Sequence, residues 1–128
     1  MVLKKTSSLC RAMAVSAVLL SGFISQQALA HAHLKTQTPA ANAVLTASPT
    51  ELSLGFSEGI EPNFSKITLA DAAKKAVKTG AMTLAANDNT QAVVPLPDAL
   101  TSGKYTVSWN VVSVDGHKTH GNYSFTVK

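Results

Sequence analysis

Residues 104–114 read KYTVSWNVVSV, and their alternation decides the fold. Tyr105, Val107, Trp109 and Val111 fall on one face, with Thr106, Ser108 and Asn110 on the other. That period of two is the signature of a half-buried strand. Residues 122–128, NYSFTVK, alternate likewise through Tyr123, Phe125 and Val127. Between them lies DGHKTHG, whose Asp115-Gly116 pair and closing Gly121 are turn chemistry, so the two strands are predicted to form an antiparallel hairpin.

Working outward, TELSLGFS at 50–57 alternates through Leu52, Leu54 and Phe56. Residues 64–69 repeat the pattern less regularly with Phe64, Ile67 and Leu69, and residues 91–96 form a third candidate ended by Pro95 and Pro97. The middle, 71–89, is poor in branched residues and contains Gly80 and Asn87-Asp88-Asn89, which predicts irregular connections with one weak strand at most. Residues 72–78 include helix formers but are too few for an independent helix. The expected class is all-β, an antiparallel Greek-key sandwich or barrel, with Tyr105, Trp109, Tyr123 and Phe125 as core packing.

The first thirty residues read as an export signal. Lys4, Lys5 and Arg11 precede a mostly apolar stretch from Ala12 to Ile24, and Ala28-Leu29-Ala30 is a small-x-small cleavage pattern. The apolar run, interrupted by Ser16, Ser21 and Gly22, is short of the roughly 20 residues a membrane span needs. Cys10 precedes that run and follows bulky Leu9, so lipid attachment is not expected. Cleavage after Ala30 leaves residues 31–128 as one domain that begins at His31 and has no cysteine. Eight basic and seven acidic side chains then give a net charge of +1. No basic patch is interleaved with aromatics, which argues against a nucleic-acid partner.

A histidine at a free N-terminus offers its α-amine and its imidazole to one metal ion, and the amine, with an ordinary pKa near ~8, gives up its proton readily to a metal. In SVDGH, Asp115 and His117 are two apart, so both side chains can project to one side of an extended or gently turned backbone. Taken singly, Asp115 reads as a turn aspartate and His117 as a solvated loop histidine; with His31 they make a four-ligand set. His33 offers a competing mode, the amine-x-x-His motif, which uses the amine, two deprotonated amides and the third-residue imidazole. His120 reads as a surface residue. Met82 is the only sulfur after residue 30, and nitrogen and oxygen donors in a flattened set suit Cu(II).

From HAHLKTQTPA through LSLGFSEGIEPNFSKITL to GKYTVSWNVVSVDGHKTHGNYSFTVK, the chain resembles the CopC family of periplasmic copper-binding proteins, and its YobA branch in particular. The resemblance implies a cupredoxin-like or immunoglobulin-like β fold and a monomeric periplasmic protein that binds Cu(II) without turnover. It implies ligands at the amine and ring of His31, the carboxylate of Asp115 and the ring of His117. Glu58, in FSEG, corresponds to an acidic residue near the metal that accepts a histidine N–H. The implied role is copper sequestration, carriage or delivery in copper homeostasis and resistance, with an inner-membrane partner resembling the copper transporter CopD. Some relatives carry a methionine-rich loop for Cu(I), which this sequence lacks. Two other functions fit the residues less well. A copper oxidase or oxygenase would need an open position where Asp115 places an anion, and a metal-free structural or chaperone-like sandwich would leave the histidines incidental.

Overall fold

A computed structural model describes residues 32–128. The predicted export signal and His31 lie outside the described residues. Within them, nine strands form two sheets: β1 (Leu34–Thr38), β2 (Val44–Leu45), β3 (Glu51–Phe56), β4 (Lys66–Ala70), β5 (Ala76–Val77), β6 (Thr83–Ala85), β7 (Asp88–Pro95), β8 (Gly103–Val112) and β9 (Lys118–Val127). One sheet has the order β1-β3-β7-β6 and the other β2-β9-β8-β4-β5. The all-β sandwich is therefore as expected, and the chain crosses repeatedly between sheets. The pairings are antiparallel apart from β2 with β9, which is parallel.

The alternating side chains do what their period requires. Leu52 and Leu54 on β3, Ala92 and Val94 on β7, Ile67 and Leu69 on β4, and the predicted Tyr105, Val107, Trp109, Val111, Tyr123, Phe125 and Val127 all enter one buried core. Tyr105 lies opposite Phe125 in the β8–β9 ladder and their rings stack with centroids 5.8 Å apart. Phe56 meets Trp109 edge to face at 5.3 Å, joining the two sheets. Trp109 also faces Gly121 across the ladder, and a Cβ built on Gly121 would lie 2.6 Å from the indole ring.

Four details differ from the sequence reading. Lys118 to Gly121, assigned to the turn by composition, belong to β9, because the ladder with β8 gives each of them a partner. The middle of the chain holds two short strands, β5 and β6, and β7 begins at Asp88 rather than Gln91, each recruited by an antiparallel neighbour rather than by local periodicity. Residues 34–38, not singled out in the sequence, pair with β3 as an edge strand with little buried side chain to betray it. Phe64, grouped with Ile67 and Leu69, is 73% exposed. It closes a 3-10 turn over Pro62–Phe64, and an even-numbered position is out of phase with 67 and 69 on a strand.

Tyr123 is the exception to a satisfied core. Its hydroxyl is buried, finds no hydrogen-bond partner among the described residues, and is pushed up to about 12 by burial. Removing it should therefore help: Tyr123→Phe is expected to raise unfolding free energy by about 1 kcal/mol in a urea titration. Gly121→Ala is expected to cost about 1–3 kcal/mol by overpacking, with a shift in Trp109 fluorescence as the indole is displaced.

Candidate metal centre

The inward phase of β8 runs on past Val111 to Ser113, which is fully buried. From there the chain must reverse to enter β9 at Lys118, and backbone hydrogen bonds close the reversal. Ser113 N–H donates to the His117 carbonyl at 2.9 Å, and Gly116 N–H to the Ser113 carbonyl at 2.9 Å. Gly116 sits at φ +90°, a left-handed conformation that favours glycine. Val114 N–H donates to the Gly59 carbonyl at 2.9 Å, tying the loop to the segment that follows β3.

This closure brings Asp115 and His117 together, and Asp115 Oδ2 lies 3.0 Å from His117 Nδ1. The other carboxylate oxygen accepts from the Ser113 hydroxyl and from the His117 backbone N–H. Those donors hold the Asp115 carboxyl down at about 2, the Ser113 hydroxyl contributing most and the His117 ring next. The pair is nevertheless accessible, with 42% of the Asp115 side chain and 52% of the His117 side chain exposed. Two donor atoms 3.0 Å apart match one edge of a flattened four-ligand site with bonds of about 2.0–2.2 Å. Among the described residues, no group of three or more His, Cys, Asp or Glu side chains gathers, so the pair supplies part of a donor set.

The start of the described chain is fastened to the same end. Ala32 is fully buried, and its carbonyl accepts from the Thr119 hydroxyl at 2.7 Å, two residues after His117. His33 is exposed and engaged by Ser57: its backbone N–H donates to Ser57 Oγ at 3.0 Å, and its Nδ1 lies 3.2 Å from the same oxygen. Ser57 N–H donates to the His33 carbonyl at 2.9 Å. Glu58 is half-buried between Ser57, which holds His33, and Gly59, which holds the loop bearing Asp115 and His117. Among the described residues its carboxylate makes no hydrogen bond to a histidine. His120 is exposed on the outer face of β9, opposite Asn110. Met82 is half-buried and packs against the core.

Sequence reasoning gave Ser113, Ser57 and Thr119 no role. Ser113 had a readable signal, a hydroxyl two residues before Asp115 at the end of an inward-facing phase, where a buried polar group needs a partner. The other two act across 24 and 87 residues of sequence, a separation that no local pattern reports.

Comparison with known proteins agrees with this architecture. The family model described as the CopC domain matches residues 34–128. The chain belongs to the CopC family. Among CopC relatives, Protein YobA of Escherichia coli is 46% identical over 112 residues, which cover 88% of this chain and 90% of that protein. The crystal structure of CopC from Methylosinus trichosporium superposes with a TM-score of 0.72 at 34% identity, covering 77% of this chain and 94% of that one. PcoC, a methionine-rich copper resistance protein from Escherichia coli, superposes with a TM-score of 0.69 at 33% identity, covering 77% of this chain and all of PcoC.

If Ser113 sets the state of Asp115, Ser113→Ala should raise the Asp115 pKa from about 2 toward the ordinary value of about 3.9, read from its side-chain carboxyl resonance in NMR. The sign for stability follows. A folded value below the ordinary one favours the folded state above about pH 4, a contribution lost as pH falls through about 2. Ser113→Ala should shrink that acid-dependent part.

Proposed function

We propose that this protein binds Cu(II) in the periplasm and sequesters, carries or delivers it in copper homeostasis and resistance. The observation that carries the reading is the accessible Asp115–His117 pair, 3.0 Å apart on a loop braced by Ser113 and Gly59. A carboxylate already ionised at neutral pH and an imidazole beside it need little rearrangement to accept a divalent ion. Family membership supports copper as the cargo, since the relative PcoC is itself described as a copper resistance protein.

The remaining donors in this reading are the α-amine and ring of His31, freed by cleavage after Ala30. Ala32, buried and bonded through its carbonyl to the Thr119 hydroxyl, fastens the start of the described chain beside the loop that bears His117. The competing amine-x-x-His mode is disfavoured by the same framework. It would need the His33 amide nitrogen deprotonated, whereas that N–H donates to Ser57, and it would draw the His33 ring away from the same hydroxyl. Nitrogen and oxygen donors, with Met82 committed to packing, favour Cu(II) over Cu(I). With Asp115 filling one position as an anion, the site is one for holding and transferring the ion, and a CopD-like inner-membrane transporter is a fitting recipient.

Two measurements test this. Mass analysis of the exported protein should give His31 as the first residue and one bound Cu(II). In a competition titration against a chelator, His117→Ala should weaken Cu(II) binding by more than the roughly 10–100-fold that loss of a supporting partner costs, with unchanged far-UV circular dichroism. Equal affinities, or an exported chain beginning elsewhere, would overturn the proposed ligand set.

A further inference from the structure

The outer face of the five-stranded sheet carries a second feature, built from residues other than the proposed copper donors. Phe64, 73% exposed, forms one wall of a shallow depression of about 380 Å³ shared with Asn110, Val112, Lys118, Thr119 and His120. The register places His120 on β9, Asn110 on β8 and Lys66 on β4 in one row across the sheet, with Lys118 opposite Val112 in the row beside them. Lys66 and Lys118 therefore stand on opposite flanks of the depression, about 10 Å apart across two strand spacings and about 7 Å apart along them.

Charge on this face is one-sided. The outward positions of β4, β8 and β9 include Lys66, Lys104, Lys118 and His120, all exposed, and no aspartate or glutamate. The carboxylates lie in loops or on the other sheet, as with Asp115, Asp71, Glu51 and Asp88. Lys118 and His120 line the depression and Lys66 stands beside it, whereas Lys104 lies six residues further along β8 from Asn110; Glu61, whose N–H donates to the Val112 carbonyl at 2.8 Å, brings one acidic residue to the same end.

We propose that this depression docks an acidic, extended segment of a partner protein, with one apolar side chain against Phe64 and carboxylates paired to Lys66 and Lys118. The two lysines are thus about 12 Å apart in a straight line, which suits carboxylates about four residues apart on an extended chain that rises about 3.3 Å per residue. Complementary charge steers the encounter and fixes register, while the apolar contact resists salt. An anionic lipid surface fits less well, because membrane contact favours apolar side chains projecting ahead of the cations, and here the aromatic ring walls a hollow. None of these residues is a proposed copper donor, so the inference stands or falls apart from metal binding.

The test uses the exported protein and a short acetylated peptide with a single leucine flanked by aspartates. Fluorescence anisotropy is expected to show binding that weakens with salt, and amide shifts in NMR are expected at Phe64, Asn110, Lys118 and His120. The double substitution Lys66→Glu with Lys118→Glu should weaken binding by about tenfold or more, and so should Phe64→Ser. All three positions are exposed, so the fold should survive, which circular dichroism checks. The proposal is overturned by no binding at millimolar peptide, by unchanged affinity in both variants, or by shifts confined to the other sheet. It is likewise overturned if phosphatidylglycerol vesicles capture the protein through this face while the peptide does not.

Discussion

The ladder between β8 and β9 sets the geometry of the rest. It pairs each residue from Gly103 with Val127 through Val112 with Lys118. Because it is continuous, its register is fixed at both ends, and residues 113–117 must close the gap between Val112 and Lys118 with no slack. The inward phase delivers Ser113 into the core at that point. A buried hydroxyl and amide need partners, and the loop supplies them through the Asp115 carboxylate and the His117 carbonyl. Packing of Tyr105 on Phe125 and of Trp109 over Gly121 therefore fixes, through register, where a carboxylate and an imidazole meet at the rim.

The candidate centre joins three separate stretches of chain at one end of the sandwich. Residues 32–33, 57–59 and 113–119 are held together by hydroxyl and backbone hydrogen bonds. The donor pair is supported from beneath and open above, with about half of each side chain in solvent. In the proposed reading, such an arrangement suits an ion that must enter and leave, whereas a structural metal is enclosed by its ligands. The outer basic face begins where this loop ends, since Lys118 follows His117 directly. A partner docked in the proposed depression would sit beside the proposed cargo, a placement that delivery requires.

Much of this was legible in the sequence. Period two at 50–57, 104–114 and 122–128 reports a buried face within each strand, and those strands carry most of the core. The short strands β1, β2, β5 and β6 were not legible, because they hold few buried side chains and owe their conformation to neighbours. Phe64 shows the converse error, where an aromatic near a strand was counted with the core although its phase and the preceding Pro62 turn it outward.

The sequence by itself determined the sandwich class and the composition of its core, because an alternating strand can bury only one face. Only the tertiary structure decided that Thr119 holds Ala32 and that Ser57 holds His33. These are contacts between groups distant in sequence, set by strand register rather than by local periodicity. It also decided that the cations of three strands share one face with Phe64, because pairing, not spacing along the chain, puts Lys66 and His120 in the same row.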